Sequence, residues 1–181
     1  MTAGQDGPSG GPEWPGERQP ASPPLAARYV HTNLIARDWR RLARFYTDVL
    51  GCVPTGPERD LSGPGLEAGT GLVGARLRGQ HLRLPGHGDD GPTLEIFQYE
   101  PDLAQPSVAV NRPGFGHLAF EVPSVTSARE RVLAEGGAAV GEIVSFVVSE
   151  TTVVTFAYVT DPEGNVLELQ SWSVSAPDSI A

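Results

Sequence analysis

The feature that most constrains the fold is an internal repeat built around two histidines. Residues 31–51 align with residues 117–137 without a gap, and the alignment places His31 on His117. Each copy has the pattern of a short strand, an N-cap residue, an amphipathic helix and a glycine stop. Because neither copy is long enough to bury a full core alone, the repeat predicts two similar modules that share one domain.

The helix of each copy begins and ends at residues typical of those positions. Asp38 and Ser124 are favoured N-cap residues, because their side-chain oxygens accept hydrogen bonds from free backbone N–H groups. Gly51 in the first copy, and Gly136 and Gly137 in the second, can adopt the positive φ that ends a helix. Apolar residues at helical spacing predict the buried face of each helix: Leu42, Phe45, Tyr46 and Val49 in the first copy, and Val125, Ala128, Val132 and Leu133 in the second.

Strand-type sequence follows each helix. In the second copy the predicted strands are 138–146, 151–159 and 166–172, with a turn at 161–165; in the first copy they are 74–84 and 93–100, after a loop at 55–71. The predicted fold class is therefore α+β, with two tandem βαβββ modules. We expect the modules to form one cupped, mostly antiparallel sheet with the helices outside.

Composition divides the chain into one domain and two tails. Residues 1–26 are rich in proline and glycine and lack the apolar stretch of a secretory signal, so we expect a disordered tail. Residues 27–173 are predicted to form the domain, with module one at 27–100 and module two at 112–173. Residues 174–181 are predicted to form a flexible C-terminal tail.

Charge and cysteine content narrow the partners and the compartment. The formal net charge is -9 at pH 7, so nucleic acid and anionic lipid are not expected as partners. No run reaches the roughly 18 apolar residues of a membrane span. The single cysteine, Cys52, excludes an internal disulfide and is consistent with the cytoplasm. We therefore expect a cytoplasmic protein that acts on a small molecule.

Two glutamates occupy matching positions in the last strand of each module. Glu95 and Glu168 each follow a leucine, and glutamate is rarely buried in a strand without a partner. A lone strand histidine is more often an ordinary core residue than a ligand, but here both His31 and His117 recur with a glutamate. Two imidazoles and two carboxylates that converge on one point would form a site for a divalent metal ion.

Four segments carry a resemblance to a known family: YVHTNLIARDWRRLARFYTDVLG, LEIFQYE, GFGHLAFEV and DPEGNVLELQSW, within residues 28–172. They are similar to the vicinal oxygen chelate superfamily, which includes glyoxalase I, methylmalonyl-CoA epimerase, extradiol dioxygenases and fosfomycin resistance enzymes. The resemblance implies one divalent ion per site, of zinc, nickel, cobalt, manganese or iron. It implies metal ligands on the first and last strands of each module, at His31, Glu95, His117 and Glu168.

The predicted site supports abstraction of a proton next to a carbonyl, because a metal ion stabilises an enolate oxygen and a carboxylate acts as base. We expect a divalent-metal-dependent epimerase or isomerase acting on a small oxygenated substrate, such as a keto-cyclitol. A glyoxalase I-type lyase, a ring-cleaving extradiol dioxygenase and a non-catalytic antibiotic-binding protein stay open as alternatives. A homodimer is also open, because many family members are dimers.

Candidate catalytic and substrate-binding residues complete the prediction. Glu168 is a candidate catalytic carboxylate as well as a ligand. Resemblance to the epimerases implies a catalytic role for Glu67, for which a solvated loop position is the alternative. Polar strand residues are candidates for hydrogen bonds to the substrate, with ordinary strand surface as the alternative: Asn33, His81, Arg83, Gln98 and Tyr158.

Overall fold

The computed structural model describes residues 25–104 and 109–174. The predicted tails therefore lie outside the described residues, except for residues 25, 26 and 174. In chain order the elements are β1 (His31–Ile35), α1 (Trp39–Leu50), β2 (Val53–Ser62), α2 (Pro64–Thr70), β3 (Arg76–Arg83), β4 (Thr93–Glu100), β5 (Leu118–Glu121), α3 (Val125–Ala134), β6 (Ala138–Ala139), β7 (Val144–Val147), β8 (Thr152–Thr160) and β9 (Val166–Val174). No helix in these ranges is long and apolar enough to cross a membrane.

The two predicted helices of the repeat begin where their caps predict. The Asp38 side chain accepts a hydrogen bond from the Arg41 backbone N–H at 3.0 Å, and α1 ends at Gly51 with a φ of 72°. The Ser124 hydroxyl accepts from the Ser127 backbone N–H at 3.3 Å at the start of α3. The predicted apolar faces are buried or partly buried, except that Leu133 is exposed at the end of α3.

Each module has the same strand connectivity. The first sheet has the order β1-β4-β3-β2, and the second has the order β5-β9-β8-β6, with β7 also paired to β8. In both sheets the first strand of the module pairs in parallel with the last, and the other pairings are antiparallel. The α+β class and the mostly antiparallel strands are therefore confirmed.

The described residues form two sheets and not the one continuous sheet that was expected. The strands belong to two separate sheets, and α1 and α3 contact each other, so the modules meet through their helical layers. A single hydrophobic core joins residues of both modules. Each helix thus buries one side against its own sheet and another side against the other module, which neither module could achieve alone.

Two local predictions were also wrong. Much of the predicted loop at 55–71 forms β2 and α2, whereas the predicted strand at 138–146 is interrupted between β6 and β7. All ten side chains of β2 are exposed, so no apolar alternation marks it in the sequence. Its backbone pairing with β3 holds it in place, with a register shift between Thr55 and Arg59.

A buried carboxylate ties the two modules together. Asp161 is 1% exposed. It accepts a hydrogen bond at 2.9 Å from the hydroxyl of Tyr46, which lies on α1 of module one. The backbone N–H groups of Glu163 and Asn165 and the Asn165 side chain also donate to Asp161. Burial raises the pKa of Asp161, and these hydrogen bonds oppose the rise. The predicted turn at 161–165 is therefore anchored to the first helix of the other module.

Replacing Tyr46 with phenylalanine removes one donor from this buried carboxylate. We expect Tyr46→Phe to lower the free energy of unfolding by about 1–3 kcal/mol, measured by denaturant titration. Tyr29→Phe is the matched control, because Tyr29 is 62% exposed, and its effect is expected to stay within about 0.5 kcal/mol. Equal stability of the two variants would contradict the anchoring role of Asp161.

Candidate metal centre

The first candidate pair forms where β1 and β4 lie side by side. Asn33 is opposite Glu95 in this parallel pairing, and His31, two residues earlier, faces the same side of the sheet. The His31 Nε2 atom lies 3.3 Å from Glu95 Oε2. Glu95 is buried, whereas His31 is exposed. The imidazole therefore partners a carboxylate that has lost most of its contact with water.

Two further side chains contact the Glu95 carboxylate. The Asn33 side-chain amide donates to Oε2 at 3.1 Å, and His81 Nε2 lies 3.2 Å from Oε1. His81 lies directly opposite Glu95 in the β3–β4 pairing, which explains the contact. Asn33 and His81, both predicted to bind substrate, thus also hold the carboxylate in one orientation.

The second pair repeats this arrangement in module two. Ala119 is opposite Glu168 in the parallel β5–β9 pairing, and His117 lies two residues earlier, just before β5. His117 Nε2 lies 2.9 Å from Glu168 Oε2. Tyr158 is opposite Glu168 on β8, and its ring centre is 5.2 Å from that of His117. Burial, and then the Glu168 carboxylate, raise the pKa of Tyr158, so its hydroxyl stays protonated at neutral pH.

The four predicted ligands therefore come together as two pairs, one on each sheet, and not as one set of four. Within residues 25–104 and 109–174, no group of three or more histidine, cysteine or acidic side chains is arranged to hold a metal ion. Two ligands that lie about 2.0–2.2 Å from a shared ion are themselves about 2.8–3.6 Å apart, the lower end for octahedral and the upper end for tetrahedral geometry. Both pairs have this spacing, at 3.3 and 2.9 Å. Each pair thus fits half of a four-ligand site.

The other three predicted residues do not join the pairs. Glu67 lies on α2, and no hydrogen bond or ion pair connects its side chain to another residue in the part of the chain that the structure describes. Gln98 lies opposite Arg78 and, by alternation, faces away from Glu95. Arg83 shares the face of Glu95, but it forms an ion pair with Asp89 in the following loop.

A cavity of about 910 Å³ borders β1 and is lined by residues of both modules. His31 and Asn33 line it from β1, and Phe115 and Glu163 line it from module two. Much of the remaining lining is apolar and exposed, as at Ile35 and Leu103. The cavity therefore adjoins the first pair but does not include Glu95, His117 or Glu168.

The fold and its paired sites define the class: a two-module α+β protein with one histidine–glutamate pair on each sheet. Residues 28–169 match the model of the Glyoxalase/Bleomycin resistance protein/Dioxygenase superfamily. The chain belongs to this superfamily, whose members include glyoxalase I, fosfomycin-resistance enzymes and dioxygenases. The family expected from the sequence motifs is thus confirmed.

Solved structures of low sequence identity share the fold. A glyoxalase family protein from Bacillus cereus has a TM-score of 0.67 at 18% identity, covering 86% of this chain and 99% of that chain. A fosfomycin resistance protein from Listeria monocytogenes has a TM-score of 0.51 at 19% identity, covering 81% and 94%. A mutant of glyoxalase I from Zea mays has a TM-score of 0.53 at 21% identity, covering 79% of this chain and 44% of that chain. A comparison with curated proteins found no match.

The contacts of His81 and Tyr158 with the glutamates were not foreseen from the sequence. Each residue lies opposite its glutamate across an antiparallel hairpin, but the β3–β4 loop is longer than the β8–β9 turn. The two residues therefore occupy different positions in the aligned repeat. If the strands of each hairpin are paired outward from the turn, His81 falls opposite Glu95 and Tyr158 falls opposite Glu168.

The packing beneath the first pair depends on Gly79. A Cβ atom there would lie 2.1 Å from the Ile96 carbonyl oxygen and 2.3 Å from the Phe97 ring, which itself contacts His81. We expect Gly79→Ala to lower the free energy of unfolding by about 1–3 kcal/mol. Gly69→Ala, in α2 with open space around it, is the matched control and should cause no loss. Equal stability of the two variants, measured by denaturant titration, would refute the packing argument.

Proposed function

We propose that the chain is a divalent-metal-dependent enzyme whose metal site is completed by a second copy of the chain. His31 and Glu95 of one copy and His117 and Glu168 of another are the four ligands. The observation that carries the proposal is the spacing of the two pairs, 3.3 and 2.9 Å between Nε2 and Oε2, which suits two ligands of one ion. One pair alone supplies fewer protein ligands than a catalytic site requires.

The ligand chemistry supports a dication. Two carboxylates cancel its charge, and two imidazoles complete a mixed nitrogen and oxygen set that accepts zinc, nickel, cobalt, manganese or iron. Glu95 is held by His31, Asn33 and His81, so its orientation is set before an ion binds. Such outer contacts orient ligands and are typical of metal sites.

The exposed strand edges support a homodimer. In the described residues, β1 pairs only with β4 and β5 pairs only with β9, so each half-site lies beside a free strand edge. The edge of β1 also borders the 910 Å³ cavity, where Phe115 is 71% exposed and Leu103 is 91% exposed. Exposed apolar groups beside a free edge favour association. In a symmetric dimer, module one of each copy would face module two of the other.

The proposed reaction is abstraction of a proton next to a carbonyl of a small oxygenated substrate, leading to epimerisation or isomerisation. The dication would stabilise negative charge that develops on the substrate oxygen. Glu168 is the proposed base, because its side chain is more exposed than that of Glu95, at 17% against 11%. Tyr158 keeps its proton and can hydrogen-bond to Glu168. Glu67, which contacts neither pair, is not retained as the base.

Four protein ligands favour this chemistry over ring cleavage, in which two histidines and one carboxylate leave positions for substrate and oxygen. A lyase of the glyoxalase I type would use the same proton abstraction.

A cytoplasmic location stays a prediction.

A mixing experiment tests the shared site. His31→Ala/Glu95→Ala removes the first pair, and His117→Ala/Glu168→Ala removes the second, so neither double variant should retain cobalt or zinc after gel filtration. When the two variants are unfolded, mixed and refolded together, half of the dimers hold one intact site. The mixture is therefore expected to recover about a quarter of the wild-type metal content, measured by elemental analysis.

The control for this experiment is the pair of double variants refolded separately, which should stay metal-free. No recovery on mixing, with metal bound by the wild type, would show that the four ligands do not come from two copies. Failure of the wild type to bind cobalt, nickel, manganese or zinc would overturn the metal-dependent function. That failure would favour a binding protein.

A further inference from the structure

A row of aromatic rings leads away from the His117–Glu168 pair. The Tyr158 ring is 5.2 Å from the His117 ring, Phe156 is 5.7 Å from Tyr158, and Phe146 is 5.7 Å from Phe156. Phe146 and Phe156 are stacked, with an angle of 20° between their planes. We call Tyr158, Phe156 and Phe146 the aromatic strip.

The aromatic strip lies on the same sheet face as Glu168. Tyr158 is opposite Glu168, Phe156 is opposite both Gln170 and Val144, and the next cross-strand row holds Phe146, Val154 and Trp172. Residues opposite one another project from the same face. On β7, β8 and β9 this face therefore carries no charged side chain between Glu168 and Trp172, whereas Glu121 of β5, opposite Gln170, lies on the same face on the side away from the aromatic strip.

The fold alone does not require this strip, because module one fills the same positions differently. His81 lies opposite Glu95 where module two has Tyr158, and Gly79 lies opposite Phe97 where module two has Phe156. On the outer strand, Arg59 pairs with Gly79 at the row where module two has Val144. Beside its glutamate strand, module two thus carries stacked rings where module one carries His81, Gly79 and Arg59, whereas on the glutamate strand itself module one has Phe97 where module two has Gln170.

The outer end of the aromatic strip is open to solvent. Phe146 is 57% exposed, and Trp172 in the same row is 47% exposed. Large aromatic side chains contribute most to the free energy of folding or binding when they are buried or stacked. This exposed surface is therefore suited to binding a flat apolar group. A group bound at the His117–Glu168 pair would have its remaining atoms directed along these rings.

We propose that the substrate carries an aromatic or conjugated ring next to its metal-binding oxygens, and that this ring lies against Tyr158 and Phe156. The inference rests on the proposed metal-dependent function and narrows its substrate class. It argues against the polyhydroxylated keto-cyclitol expected from the sequence, because hydroxyl groups against stacked rings would lose hydrogen bonds to water. Polar groups of the substrate would instead face His81 and Arg83 in module one of the other copy.

Two chelators that share the same pair of oxygens test the substrate class. Acetohydroxamate carries a methyl group where benzohydroxamate carries a phenyl ring. The binding of each compound to the cobalt-loaded dimer is measured by calorimetry. We expect benzohydroxamate to bind at least about tenfold more tightly. Phe156→Leu, which keeps an apolar side chain in the strand, should reduce this preference about three- to tenfold and leave acetohydroxamate binding unchanged.

Val73→Ala is the matched control, because Val73 is an apolar residue 91% exposed in a turn of module one, and both affinities should be unchanged. Equal affinities for the two chelators, or a preference that survives Phe156→Leu, would overturn the ring-binding proposal while leaving the metal site intact. Failure of the protein to bind cobalt at all would overturn the proposed function, and the substrate inference with it.

Discussion

Parallel pairing between the first and last strands of each module is the constraint on which the candidate site depends. This pairing places Asn33 opposite Glu95 and Ala119 opposite Glu168. The histidine two residues earlier then faces the same side as the glutamate, because side chains alternate along a strand. The same short-range geometry therefore builds a histidine–glutamate pair twice, although His117 lies in the segment just before β5 and not in the strand itself.

A nearly buried carboxylate is stable only with compensating partners, and the two modules meet that need differently. Glu95 contacts two imidazoles and one amide, whereas Glu168 contacts one imidazole and a tyrosine. Leu94 and Ile96, and likewise Leu167 and Leu169, belong to the hydrophobic core and flank the glutamates along their strands, so both glutamates face away from that core. In the proposed dimer, two copies would bring unlike pairs together, one bordered by His81 on β3 and the other by Tyr158 and Phe156 on β8.

The sequence predicted the modules, the N-caps of both helices and the four candidate ligands, because each depends on local patterns that recur in the repeat, but it expected the four ligands to converge on one point and not as two pairs. It did not predict that the modules meet through their helices, since an apolar stripe shows that a helix face is buried but not against which element. It missed β2, whose exposed residues carry no apolar alternation. It also missed the contacts of His81 and Tyr158 with the glutamates, because hairpins of unequal length shift these residues out of the aligned repeat.

The most direct measurement is anomalous X-ray diffraction from crystals of the cobalt-loaded protein, which locates each ion and the chain that supplies each ligand. The account predicts one cobalt ion per site, about 2.0–2.2 Å from His31 and Glu95 of one chain and from His117 and Glu168 of another. Four ligands from a single chain, an ion held at only one of the two pairs, or cobalt bound elsewhere would contradict it.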